Sequence, residues 1–135
     1  MATERSEELA LVREQDVVLA RQAIREAARK MGFSIVDQTK IVTAASELAR
    51  NTVVHGGGGF ARIEIIRDTA RTGMRLTFED RGPGIADLER AMKDGYSSAG
   101  GLGLGLGGAK RLSNEFAIES QPGEGTRVTI TRWKG

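Results

Sequence analysis

Glu47, Asn51 and His55 recur four residues apart in the run SELARNTVVH. At about 100° per residue a helix carries them as one polar stripe, beside an apolar face of Ile41, Val42, Ala45, Leu48, Ala49 and Val53. Such a stripe borders whatever cavity lies between helix and sheet, unless it is simply a solvated helix edge. His55 by itself reads as a helix-end cation near the C-terminal dipole rather than a metal ligand. A second cluster is Glu79-Asp80-Arg81-Gly82-Pro83-Gly84-Ile85. Met74, Leu76, Phe78 and Asp80 share one strand parity, so the strand that points apolar side chains inward also points the Asp80 carboxylate inward, where it needs a partner. Gly82 and Gly84 let the chain turn sharply there and admit a flat ligand close to the backbone. The competing reading is an ordinary strand-to-helix turn with Asp80 as a cap.

Gly100 to Gly108 contains GxGxxG at Gly103, Gly105 and Gly108, but a polar loop precedes it where a dinucleotide fingerprint needs a strand. No GK[ST] ending and no VAIK or HRD pattern is present, which removes a P-loop and an ordinary protein kinase. Glycines that open a helix still expose N–H groups to an anion such as phosphate, although a small-residue helix packed on the sheet fits the same composition. In Gly123-Glu124-Gly125-Thr126, Thr126 shares the parity of Val128 and Ile130, which turns its hydroxyl to the side of Asp80. In isolation this is a hairpin turn.

The elements that must position these groups follow from periodicity. Residues 7 to 13 suit a short strand. Asp16 to Met31 is an amphipathic helix closed by Gly32, and Ser34 or Asp37 caps a second helix to about His55. Residues 60 to 67 and 74 to 80 alternate around a turn expected near Gly73. A short helix about Asp87 to Lys93, a helix reaching about Ser113, and strands 115 to 121 and 126 to 133 complete the α+β pattern, with helices on one face of a largely antiparallel sheet.

Composition narrows the function classes. Glycine is 18 of 135 residues, near twice the usual share of roughly 7%, and is concentrated in Gly56 to Gly59 and between Gly95 and Gly108. It punctuates periodic segments, so it serves the backbone and is no linker. There is no cysteine, which removes thiolate metal sites, thiol nucleophiles and disulfides. Lys+Arg 20 against Asp+Glu 18 leaves a net charge of +2, and one Trp, one Tyr and four Phe offer little to stack on bases, so no nucleic-acid partner is expected. The polar start MATERSEELA and the lack of a long apolar run point to a cytoplasmic protein with no membrane partner.

Taken in order, ELARN with HG, DRGPGI, GGLGLGL and GEGT resemble the N, G1, G2 and G3 boxes of the superfamily of gyrase, heat-shock chaperone, histidine kinase and mismatch-repair ATPases (GHKL). The resemblance spans residues 47 to 126. It implies a two-layer α/β sandwich, with helices on one face of a mixed, mainly antiparallel sheet. The chain leaves no room for a phosphorylatable helix pair or a transducer domain, so one GHKL kinase domain over residues 1–135 is expected. What remains is the group of anti-sigma factors and serine kinases that act on STAS-domain antagonists. From Val12 to Trp133 the chain is similar to the stressosome switch kinases of that group, through ARQ at 20 to 22, GFSIVDQ, TAASELARN, EDRGPGI, DGYSSAGGLGLGL and KRLSNEF. Arg81 departs from the group, which often has Gln or Glu there.

By that resemblance Asp80 accepts the adenine amino group of ATP, Thr126 assists through water, and Gly82, Gly84 and Ile85 lie along the ring. Asn51 would ligate Mg²⁺, and Glu47 would be the general base. Tyr96 to Gly105 would form a lid, with Ser97, Ser98, Gly100, Gly101, Leu102, Gly103, Leu104 and Gly105 about the phosphates. Arg21 would contact the protein partner. The implied activity is ATP-dependent phosphorylation of STAS-domain antagonist and co-antagonist proteins, after which the released kinase activates a PPM-type phosphatase. The alternatives are an anti-sigma factor of the same fold and a nucleotide-gated binding module in which Glu47 does no chemistry. Keeping both Glu47 and Asn51 argues against the module.

Overall fold

Alternating apolar residues in five segments, and three-to-four spacing in two longer ones, produce strands and helices that share a core. The computed structural model describes residues 2–92 and 105–134. Its elements are β1 (Ala2–Leu11), α1 (Glu14–Met31), α2 (Ile35–Val54), β2 (Gly59–Arg67), β3 (Thr72–Asp80), α3 (Leu88–Ala91), α4 (Leu106–Arg111), β4 (Glu115–Gln121) and β5 (Gly125–Lys134). The sheet order is β1-β2-β3-β5-β4, and every pairing among these strands is antiparallel.

The caps explain where the helices begin and end. Asp16 accepts the backbone N–H groups of Val12 and Arg13 at 2.9 and 3.0 Å, which ends β1 and starts α1. Gly32, at φ 87°, closes it. Of the two caps the sequence offers for α2, Ser34 is the one used, accepting the Asp37 N–H at 3.1 Å. The Asp37 carboxylate instead pairs with Arg132 of β5 at 2.9 Å, tying the start of α2 to the sheet.

Ile24, Ile41, Leu48, Met74, Leu76, Phe78, Val128 and Ile130 are buried together between the helices and one sheet face. The opposite face is polar: Glu64 faces Arg75 at 3.1 Å, and Arg127 faces Glu79 at 2.5 Å, each pair directly opposite in the strand register. The basic residues of that face are therefore matched by carboxylates.

Four boundaries differ from the sequence expectation. β1 runs from residue 2 rather than 7, because pairing from Ala2↔Arg67 to Leu11↔Gly59 holds even its polar half extended. The β2–β3 turn falls at Asp68 to Arg71, where Asp68 accepts the N–H groups of Ala70 and Arg71 at 3.1 and 3.0 Å. Gly73 lies inside β3 opposite Trp133, whose ring would collide with any side chain placed there. α3 and α4 are also shorter than expected, Asp87 capping α3 through the Arg90 N–H at 3.0 Å.

Candidate functional site

The inward parity of β3 and β5 and the polar stripe of α2 meet at one cavity of about 540 Å³. Leu48, Phe78, Leu106 and Val128 make its apolar walls, and Asn51, His55, Asp80, Asp87, Arg90 and Thr126 bring polar groups to it. An apolar cleft with a few convergent polar groups is the usual form of a small-molecule site.

Asp80 ends β3 opposite Thr126 of β5. Its Oδ1 accepts the Gly82 N–H at 2.9 Å, and the Thr126 backbone N–H also donates to the carboxylate. Burial nevertheless raises its pKa above the ordinary value, outweighing those donors. The carboxylate is thus fixed in direction and short of solvent, and a ligand N–H would relieve that deficit.

A hydroxyl relay stands next to it. Ser120 of β4, opposite Thr126 in the register, accepts the Ile85 N–H at 2.8 Å, donates to the Gly125 carbonyl at 3.0 Å and lies 2.8 Å from Thr126 Oγ1. Sequence reading missed Ser120. Its only signal was the parity it shares with Phe116 and Ile118, and its pairing with Thr126 depends on the β4–β5 register.

Gly84 and Ile85 line the cavity, whereas Gly82 does not. A Cβ on Gly82 would lie 2.6 Å from the Gly56 carbonyl oxygen, and one on Gly84, at φ 75°, would strike the backbone of Gln121. Close approach of neighbouring backbone therefore requires glycine at both positions. Arg81 is exposed and does not line the cavity.

On α2 the stripe divides. Asn51 and His55 line the cavity, while Glu47 lies outside its lining, against Gly105 at the start of α4. A Cβ on Gly105, which sits at φ 64°, would be 2.6 Å from Glu47 Oε2. His55 is half-buried, and burial, then the Arg50 charge, lowers its pKa below the ordinary 6.5. It is a neutral cavity group at neutral pH, contrary to the helix-end cation expected. Arg21 is exposed on α1, which also exposes Val18 and Leu19. Ser97, Ser98, Gly100, Gly101, Leu102, Gly103 and Leu104 lie outside the described residues. Among the described residues no cluster of three His, Cys, Asp or Glu could hold a metal ion, and no helix is long and apolar enough to cross a membrane.

A two-layer sandwich with a ligand cleft between α2 and an antiparallel sheet is the architecture of GHKL ATPases, and the chain belongs to the histidine kinase-like ATPase domain family, which it matches over residues 11–132. It is 46% identical over 123 residues to the serine/threonine-protein kinase RsbT of Bacillus subtilis strain 168, covering 91% of this chain and 92% of that one. Homology of this extent makes it an ATP-dependent protein kinase of partner-switching signalling. It is also 30% identical over 130 residues to the anti-sigma F factor of Thermoanaerobacter sp. strain X514, covering 93% and 90%. Two solved structures share the fold. The RsbU and RsbW domains of a Mycobacterium tuberculosis protein align with TM-score 0.64 at 23% identity, over 97% of this chain and 33% of that one. The SiaB–SiaC complex of Pseudomonas aeruginosa aligns with TM-score 0.56 at 14% identity, over 97% and 90%.

Proposed function

We propose that residues 1–135 act as one kinase domain that transfers the ATP γ-phosphate to a seryl or threonyl hydroxyl of STAS-domain antagonist and co-antagonist proteins, and that the released kinase then binds and activates a PPM-type phosphatase. The observation that carries the nucleotide reading is the inward Asp80 carboxylate, held by two backbone N–H groups at the end of an apolar cleft. It is oriented to accept the adenine amino group, with Thr126 beside it. Gly84 and Ile85 flank the base, and Gly82 holds the carboxylate through its N–H.

On the α2 wall of the cleft, the Asn51 amide oxygen is a hard donor suited to Mg²⁺, which takes few protein ligands and completes its shell with water and phosphate oxygens. Bound Mg²⁺ would neutralise charge on the phosphates. Glu47, one turn from Asn51 and clear of the base, is placed to take the proton of the incoming hydroxyl as its oxygen attacks. Arg21, exposed beside Val18 and Leu19, supplies a basic and apolar docking point on α1.

The kinase reading is favoured over an anti-sigma factor by the higher identity, 46% against 30%, at similar coverage. The decisive experiment incubates the purified protein with labelled ATP and candidate STAS-domain proteins. Label on a seryl or threonyl group of the STAS protein, followed by release of the kinase, is expected. Tight, ADP-enhanced binding to a sigma subunit without transfer would overturn the reading in favour of the anti-sigma factor. In the same series Arg21→Ala should weaken the STAS complex and leave ATP affinity unchanged.

A further inference from the structure

The first turn of α2 is capped by Ser34 and carries Asp37, both suited to a helix start. Ile35 and Val36 between them are not. Both are β-branched, which a helix disfavours, and neither offers the negative charge that the positive end of a helix attracts. Packing does not explain them either. Ile35 is 77% and Val36 63% exposed, the two most exposed large apolar side chains among the described residues. Apolar residues scattered singly on a surface are ordinary, whereas two in sequence that neither the helix nor the core requires mark a contact surface.

The charge around them has one sign. Lys40 stands one turn from Val36 on the same side of α2. At the α1–α2 corner a Cβ on Gly32 would lie 3.1 Å from Lys134 Nζ, which places that ammonium beside the corner. The neighbouring carboxylates are already committed, Asp37 to Arg132 at 2.9 Å and Glu26 to Arg29 at 2.5 Å. Lys40 and Lys134 make no ion pair among the described residues. The complement of this corner is an apolar side chain flanked by carboxylates.

Helical spacing points to the protein that carries it. Val36, Lys40, Thr43 and Glu47 recur at steps of four, three and four, so they form one stripe along the outer side of α2. Val36 and Thr43 are exposed, and Lys40 and Glu47 are partly exposed. At the 1.5 Å rise of a helix, Val36 stands about 16 Å from Glu47 along this stripe. A protein that presents its hydroxyl to Glu47 lies over one end of the stripe. The corner is the other end, a separation within the roughly 800 Å² that each partner buries in a standard interface.

We propose that Ile35, Val36, Lys40 and Lys134 form a docking surface, away from the nucleotide cleft, for an acidic and apolar patch of the protein substrate whose hydroxyl is phosphorylated. Holding the substrate there raises the local concentration of its hydroxyl at Glu47 without touching ATP. The inference rests on the kinase reading above and names how the substrate is engaged.

The test is steady-state kinetics of the full chain, with purified STAS-domain antagonist as the varied substrate and saturating Mg·ATP. Ile35→Glu and Val36→Glu suit the start of a helix, so they should fold with unchanged Tm while setting a carboxylate against those of the substrate. Each should raise KM for the STAS protein about tenfold or more, with kcat and calorimetric Mg·ATP affinity within about twofold of wild type. Lys40→Glu should also raise KM and make it less sensitive to added salt, whereas Lys40→Arg should keep the wild-type values. An unchanged KM in the Ile35 and Val36 variants would overturn the inference and leave the kinase reading standing. So would a fall in kcat or in ATP affinity alongside KM, which marks damage to α2 itself. Variants that instead weaken only the phosphatase complex, or dissolve a dimer in sedimentation, give the surface to another occupant and overturn the inference. No transfer to the STAS protein by wild type would overturn the kinase reading and this inference with it.

Discussion

The two ends of the cleft are built by different physics. At the strand end, Asp80, Thr126 and Ser120 are held by backbone N–H and carbonyl groups whose positions follow from the β3–β5–β4 register. Along α2, Glu47, Asn51 and His55 are placed by helical spacing: Glu47, outside the cleft lining, meets α4 through the missing side chain of Gly105, while the chain just past His55 abuts Asp80 at Gly56. A sheet with every neighbour paired resists deformation, so the strand end can read a fixed ligand edge. Along α2 the groups are instead placed by helix repeat and by a short neighbouring helix, whose Leu106 and Ala109 share the core with Leu48. On the proposed function, base recognition falls to the strand residues and transfer to the α2 residues.

That division is broken most severely at Glu47. Glu47→Ala should cut single-turnover phosphate transfer by about 10²- to 10⁴-fold, the usual worth of a general base, while calorimetry still records near-normal Mg·ATP affinity. Full transfer by the variant would remove Glu47 from the chemistry and blur the contrast between the ends.

Asp80→Asn acts at the other end. Losing a charge-assisted hydrogen bond worth roughly 1.5–3 kcal/mol should weaken ATP by about 10- to 100-fold. Stability should move the opposite way. Because burial raises the folded-state pKa of Asp80, the fold favours the protonated form, and that contribution is lost as pH rises through the folded pKa. Asp80→Asn should therefore melt no lower than wild type at neutral pH, and a clear drop in Tm would make Asp80 a structural group.

Gly105→Ala sharpens the comparison. A side chain at φ 64° costs on the order of 1–2 kcal/mol and pushes on the Glu47 carboxylate. Transfer should fall by roughly tenfold with Mg·ATP affinity intact, since the Asp80 end is untouched. A changed ATP affinity would show that the two regions are coupled.

The smallest effect is expected at His55. Its folded-state pKa is lowered by burial and Arg50, so its contribution to stability is present above about 6.5 and is lost as pH falls through the folded value. Thermal melts of His55→Gln should lose less stability than wild type between neutral and mildly acidic pH. Parallel curves would place the imidazole in solvent.

Much of this was legible in the residues themselves because it depends on local geometry. A helix repeats every 3.6 residues and a strand every two, so Glu47, Asn51 and His55 had to share a stripe and Asp80 had to point the way of Phe78. Gly32 as a cap, a cap for α2 at Ser34 or Asp37, and the G1 and G3 turns follow from the same short-range chemistry. Tertiary structure decided what depends on which strand lies beside which. Polar β1 is held extended to Ala2 only because β2 pairs with it, and Gly73 belongs to a strand because Trp133 lies across it. Ser120 joins the site only through the register that sets it opposite Thr126, and Gly105 meets Glu47 only once α4 packs on α2. Sequence periodicity states which way a side chain faces; what it faces is set by chain segments up to scores of residues away, brought together when the core excludes water.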